Sequence, residues 1–164
     1  MEFSIRKAID ADEEVVAALA VSFEQFGNYA AVFRAMVRGD RQALAAFIVV
    51  GEVEVDLAVL PHGEPVGFVA TLTTAEHVDV LGIAVDETER RKGIAVGLLD
   101  HVCARAATRG LSVMKCTTAE TNEAALRLFA GRGFVDSGGV GTYQTGQRAR
   151  ELRLTPVSSA AGSR

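Results

Sequence analysis

Cysteine is scarce in these 164 residues: the chain holds only Cys103 and Cys116. Their spacing matches neither a zinc site nor a redox pair, so no metal is expected, and the pair fits a reducing compartment. Cys103 falls on an apolar helical face and reads as a small core residue. An excess of positive charge is also missing. Seventeen Lys and Arg against 21 Asp and Glu leave a net charge of −4. That argues against nucleic-acid binding, which needs a basic face to displace counterions, and it is compatible with cationic substrates. No apolar run approaches a bilayer span, and the opening "MEFSIRKAIDADEE" has no apolar signal region. The expectation is therefore no membrane association and a cytoplasmic location. With 49% hydrophobic and 23% charged residues, the chain reads as one domain over 1–155 with a real core. Residues 156–164, "PVSSAAGSR", read as a disordered tail with nothing to bury.

Local patterns give the order of elements. "FSIRKA" (3–8) reads as a strand. Residues 10–26 read as a helix with Asp10 as N-cap, Glu13 closing a capping box, and Val15, Val16, Leu19, Ala20 and Phe23 forming its apolar stripe. A second helix spans 27–40 between glycines, while 41–55 is compatible with helix or strand. "VDLAVLP" (55–61) and "PVGFVATLTT" (65–74) flank turn chemistry and predict a hairpin, with 76–86 as the next strand. A helix over 94–109 carries Leu98, Leu99, Val102, Cys103 and Ala106 on one side, and Gly110 closes it. Then come a strand at 111–118, a helix at 122–132 with Asn122 as N-cap, and final strands from "GFVDSG" and "ARELRLT". "GGVGTYQTGQ" (138–147) reads as a flexible loop suited to covering a substrate. The order implies an α/β fold, a mixed sheet with helices on its faces.

The most informative stretch is "ERRKGIA" (89–95), a basic, glycine-containing turn between a strand and a helix. A helix start presents unpaired backbone N–H groups and the positive end of the helix dipole, which together attract an anion. Gly93 allows close approach to the backbone, Ala95 keeps the next turn small, and Arg90, Arg91 and Lys92 add attraction. The stretch suits a phosphorylated ligand. It is neither a Walker loop nor a dinucleotide fingerprint, because the required lysine-serine pair and third glycine are missing.

"VDETERRKGIA" (85–95) instead resembles the acetyl-CoA signature of the GNAT N-acetyltransferase superfamily, whose core is Gln/Arg-x-x-Gly-x-Gly/Ala. Arg90, Gly93 and Ala95 match it. "TNEAALRLFAGRGF" (121–134) resembles the later family motif Asn-x-x-Ala-x-x-Leu-Tyr-x-x-x-Gly-Phe through Asn122, Ala125, Leu128, Gly133 and Phe134. The resemblance covers residues 65–137 well and the first sixty residues in layout. It implies a mixed, mostly antiparallel sheet of six or seven strands flanked by about four helices. It implies acetyl-CoA as co-substrate, its pyrophosphate held by the amides of Arg91, Lys92, Gly93, Ile94, Ala95 and Val96, with Arg90 also binding the cofactor. Backbone at Ile83, Ala84 and Val85 would pair with pantetheine, with Asn122 and Phe129 also on the cofactor side. A homodimer is common in the family, and the final strands would support one.

Acetyl transfer to an amine needs a base for the amine, a donor to the oxyanion, an acid for the thiolate, and alignment of the reactants. The resemblance implies an oxyanion-facing amide near Ile83 or Val85. The family's acid is the motif tyrosine, but this chain has Phe129 there. Tyr143, Cys116, water, or departure as free thiolate remain as alternatives, and Tyr143 is the side chain put forward. Members acting on ribosomal N-termini carry a glutamate where this chain has Thr117. Asp79 is the first choice of base, with His77 on its strand face, Glu76 on the other, and Glu24 as a weaker candidate. His77 otherwise reads as an exposed strand start and His101 as surface. Tyr29, beside the cluster of Phe23, Phe26 and Phe33, is expected to line an acceptor pocket. The reading is an N-acetyltransferase acting on a primary amine of a small molecule or peptide by direct attack in a ternary complex. The alternatives are a non-catalytic acyl-CoA-binding sensor or interaction module, and transfer of a longer acyl group or to an oxygen acceptor.

Overall fold

The computed structural model describes residues 2–27 and 29–157, apart from the side chains of Glu24 and Phe26. The expectations for those two side chains, and for the tail beyond Val157, lie outside the described residues. The strands are β1 (Ser4–Lys7), β2 (Glu52–Val59), β3 (Pro65–Thr73), β4 (Val78–Val85), β5 (Met114–Ala119), β6 (Val135–Thr142) and β7 (Arg148–Leu154). The helices are α1 (Glu13–Leu19), α2 (Tyr29–Arg38), α3 (Ala45–Ile48), α4 (Ile94–Thr108) and α5 (Glu123–Gly131). The strands form one sheet in the order β1-β2-β3-β4-β5-β7-β6. Neighbours run antiparallel except β4 and β5, which are parallel. This is the mixed, mostly antiparallel architecture expected.

Both faces of the sheet are covered, which is why β3 reads as a nearly continuous apolar run and is buried from Val66 to Leu72. Alternation divides its side chains between two cores. Phe68 and Ala70 join Val16, Phe33, Leu44 and Leu57 beneath the N-terminal helices. Val69 joins Leu98, Leu99 and Val102 of α4 and Phe129 and Phe134 on the opposite face, as does Val66, which the register shift between Pro65 and Gly67 takes out of the alternation.

Three local expectations change, and one left open is resolved. Residues 10–26 are not one helix but a 3₁₀ turn (Asp10–Asp12), α1, and a second 3₁₀ segment (Ala20–Phe26). Asp12 ties down the start of this region, rather than Asp10. Its carboxylate accepts from the Ile9 N–H at 2.8 Å and from Arg6 at 2.8 and 3.0 Å. The ambiguous 41–55 divides into α3 and the start of β2. The stretch 138–147 is not a long flexible loop, because β6 continues through Thr142 and only 143–147 turn. Register shifts at 136–141 absorb the glycines without ending the strand. Finally, the tail is docked at least to Val157, whose N–H donates to the Ser112 carbonyl at 3.0 Å and whose side chain packs on the core.

A charge cluster holds α4 against the sheet. Glu54 and Asp56 of β2 are 4% exposed. Arg109 donates to both Glu54 oxygens at 2.7 and 3.2 Å, and Arg105 donates to Asp56 at 2.7 Å and to Thr71 at 3.2 Å. Lys7 adds a bond to Glu54 at 3.3 Å. His101, expected to be plain surface, has Nε2 3.8 Å from Asp56 Oδ1.

Candidate functional site

The site begins where β4 and β5 part. They pair only at Val78↔Met114, Asp79↔Lys115 and Val80↔Cys116. Just beyond, β4 carries an extra residue: Ala70 faces Gly82 and Thr71 faces Val80, leaving Leu81 between them as a bulge. From there no strand lies on the β5 side of β4 among the described residues. Gly82 also admits a close approach from above. A Cβ there would come within 2.7 Å of Phe33 Cζ, so the phenyl rings of Phe33 and Phe23 rest directly on β4 backbone.

The gap opens into a groove of about 670 Å³ that reaches the N-terminus of α4. Of the residues expected on the cofactor side, Ile83, Ala84, Val85, Arg90, Arg91, Ala95, Asn122 and Phe129 line it. Lys92, Gly93, Ile94 and Val96 build the loop and first helical turn beside it. Asp86 starts that loop, accepting from the Thr88 N–H at 2.9 Å, and Arg90 Nε donates to the Val85 carbonyl at 3.3 Å. Arg91 and Gly93 both take left-handed backbone conformations, with φ of 64° and 81°. Such alternation turns successive N–H groups toward one side, a nest suited to phosphate oxygens. Ile94 is buried and anchors the first turn of α4. Lys92 lies 3.4 Å from Glu89 and Val96 is exposed. Asn122 caps α5 as expected, its side chain accepting from Ala125 N–H at 3.2 Å. Phe129 is buried, its ring packed edge-on to Phe134 at 5.0 Å.

A second cavity, of about 240 Å³, lies across the same gap. Its walls are Phe23, Tyr29, Val32, Phe33 and Phe47, with Asp79, Thr117 and Tyr143 opposite. The two cavities share Phe23, Val80, Leu81, Thr117, Thr118 and Asn122. The structure thus brings Asp79, Tyr143 and Tyr29, distant in sequence, around one space. Tyr29 and Tyr143 meet edge to face at 6.3 Å. Burial, with Tyr29 and Cys116 nearby, pushes the Tyr143 hydroxyl up to about 12, and burial raises Tyr29 too. Both phenols therefore carry their protons at neutral pH. Cys116 lies on the groove floor at 1% exposure, and burial pushes its thiol far up, so it is a core thiol.

His77 is not an exposed strand start. Its ring is 19% exposed, with Nε2 3.5 Å from Asp79 Oδ2 and Nδ1 3.2 Å from Thr74 Oγ1. The Thr74 oxygen already accepts from the Glu76 and His77 N–H groups at 3.2 and 3.1 Å. With both lone pairs engaged it can only donate, to Nδ1 or to the His77 carbonyl. Where that hydroxyl donates to Nδ1, the ring proton sits on Nε2, facing Asp79. Glu76, on the other face, is exposed.

Sequence reasoning missed Val32, Phe47 and Thr74. Phe47 sits in the stretch whose pattern fitted either element. Thr74 had a signal, a hydroxyl residue at the head of a turn three residues before His77. Gln147 Nε2 in the β6–β7 turn donates to the carbonyl of Gln25, a lining residue of the larger groove, at 3.2 Å. Among the described residues no His, Cys, Asp and Glu group could hold a metal ion, and no helix is long and apolar enough to cross a membrane.

The model of the acetyltransferase (GNAT) family matches residues 40–134. The chain is 38% identical over 72 residues to an L-2,4-diaminobutyric acid acetyltransferase of Streptomyces coelicolor. That match spans 42% of this chain and 42% of the relative, well under half of the length of either. Among solved structures it resembles Ard1 from Thermoplasma volcanium, with a TM-score of 0.78 at 19% identity, covering 96% of this chain and 100% of the other. It also resembles the diaminobutyrate acetyltransferase EctA of Paenibacillus lautus, solved with L-2,4-diaminobutyric acid and coenzyme A. There the TM-score is 0.72 at 19% identity, over 98% of this chain and 99% of that one. At such identities the likeness speaks to the fold.

Proposed function

Because this chain belongs to the acetyltransferase (GNAT) family, we propose that it moves the acetyl group of acetyl-CoA to a primary amine, by direct attack in a ternary complex. The observation that carries the reading is the meeting of the two cavities between β4 and β5. One leads to a phosphate-suited loop, and the other holds a carboxylate and two protonated phenols. Coenzyme A in the EctA complex supports acetyl-CoA as the donor here.

Acetyl-CoA supplies an activated thioester and a phosphate-bearing handle. The nest and helix start at Arg90–Val96 hold the pyrophosphate, and the unpaired edge of β4 at Ile83–Val85 accepts the pantetheine arm as an added strand. Asp79 takes a proton from the ammonium, freeing the nitrogen lone pair. That pair forms the C–N bond at the thioester carbonyl carbon while a β4 N–H near Ile83 or Val85 donates to the developing oxyanion. As the oxyanion collapses, the C–S bond breaks and its electron pair leaves on sulfur, which Tyr143 protonates. Nitrogen sheds two protons in all; one ends on sulfur and one in solvent. Phe129, where relatives of this motif carry tyrosine, serves the pantetheine wall and has no proton to give.

The test is thiol release from acetyl-CoA across a panel of amines, with calorimetric acetyl-CoA binding alongside. Turnover is expected with the wild type, and Asp79→Asn should lower kcat by ~10²–10⁴-fold, the usual worth of a general base, at unchanged acetyl-CoA affinity. Tight binding with no turnover of any amine would replace this reading with a non-catalytic acyl-CoA-binding module.

A further inference from the structure

We infer that the acceptor is a compact aromatic or apolar primary amine that carries no carboxylate, an inference that rests on the acetyl-transfer reading above. The second cavity offers an amine one anion, Asp79, and surrounds it with rings. Phe23 and Phe33 lie 5.5 Å apart, Tyr29 is 6.4 Å from Phe33, and Phe47 and Tyr143 complete the wall. This arrangement suits an ammonium directed to Asp79 and a flat or branched apolar body against the ring edges.

What the wall lacks decides against amino acids. Among the described residues no Lys, Arg or His lines this cavity. An acceptor bearing a carboxylate would place that anion in a half-open, ring-walled cavity with no cation to pair it, only the neutral donors of Tyr29, Tyr143, Thr117, Thr118 and Asn122, close to the like charge of Asp79. Both terms oppose binding: desolvation of an unpaired anion, and repulsion at short range. The ammonium head gains from the same Asp79, so the site distinguishes an amine from its carboxylated twin by what it omits as much as by what it offers.

Size decides against an extended peptide. About 240 Å³ lies below the roughly 300–1,000 Å³ typical of sites for drug-sized ligands. Tyr143 of the β6–β7 turn and Tyr29 at the start of α2 meet on one side of this cavity, and the same turn's Gln147 bonds the carbonyl of Gln25, which lines the larger groove.

The experiment compares kcat/KM for phenethylamine, L-phenylalanine, L-2,4-diaminobutyric acid and a tetrapeptide with a free N-terminus, with acetyl-CoA binding measured in parallel. L-Phenylalanine has the body of phenethylamine plus a carboxylate, so the pair isolates the argument. Phenethylamine should exceed phenylalanine by at least ~100-fold, given an unpaired and repelled anion in the latter. It should also exceed the diamino acid and the peptide. A smaller preference, faster turnover of the diamino acid or peptide, or acetyl-CoA binding with none of these amines acetylated overturns the acceptor class. Failure to bind acetyl-CoA at all overturns the acetyl-transfer reading itself, and this inference with it.

Discussion

Glu54→Gln tests how α4 is held to the sheet. The Glu54 side chain is 3% exposed, with Arg109 bonded to both oxygens, Lys7 at 3.3 Å and Arg105 at 3.7 Å. Burial by itself would push this carboxyl up. The Arg109 hydrogen bonds, the charges of Arg105 and Arg109, and Lys7 outweigh it and hold the group below the ordinary carboxylate range. A carboxyl depressed in the folded state stabilises fully above its unfolded pKa, and the contribution fades as pH falls through the folded value. Glutamine keeps the volume and one acceptor but removes the charge. Breaking a buried pair costs about 3–5 kcal/mol, and the 37% exposure of Arg109 lets its guanidinium rehydrate, so about 2–3 kcal/mol is expected here. At ~2–4 °C per kcal/mol for a chain of this size, Tm should fall by ~4–12 °C at pH 7. Thermal denaturation from pH 7 to pH 3 reads both the gap and its trend. The gap should close in acid, where wild-type Glu54 is protonated too. An unchanged Tm at pH 7, or a gap that persists undiminished to pH 3, refutes the reasoning.

Gly93→Glu puts a side chain at a left-handed φ of 81°, a strain of ~1–2 kcal/mol, and an anion where phosphate would sit. The Cβ itself meets nothing within 4 Å, so the fold should survive while calorimetric acetyl-CoA binding is lost; retained tight binding removes the loop from the site. Tyr143→Phe should lower kcat with little change in acetyl-CoA affinity. Because burial pushes that hydroxyl up to about 12, its ionisation should not depress the wild-type rate at pH 9–10, and a rate that falls there through Tyr143 contradicts the assignment. His77→Ala removes the ring whose Nε2 lies 3.5 Å from Asp79 and should shift the pH–rate profile while leaving acetyl-CoA affinity unchanged; a profile superimposable on wild type means that Asp79 acts without it.

Much of the fold was legible because its signals are short-range. Gly93 followed by an apolar helical run marks the start of α4 wherever the helix packs, and Asn122 caps α5 through a bond three residues long. The early helices were less legible. Asp12, which looked like one acidic residue among several, anchors that segment through the Ile9 N–H and, from farther off, through Arg6 of β1. The second strand hid its buried charges for a similar reason: "EVEVDLAV" alternates like a half-exposed strand, and nothing local says that Arg105 of α4 and Arg109 just past its end will cover it.

The candidate site divides along the same line. The phosphate-suited turn, the strand that runs into it and the capped helix after the fifth strand could be read along the chain, since each depends on neighbours within a few residues. Long-range packing sets the rest: β5 pairs with β4 for three residues and then leaves it, Leu81 bulges at that point, and Asp79, Tyr143 and Tyr29 share one cavity with Phe47. Those relations follow from strand order and register, which are set by how the faces of distant segments pack together, and no short stretch of the chain carries that information.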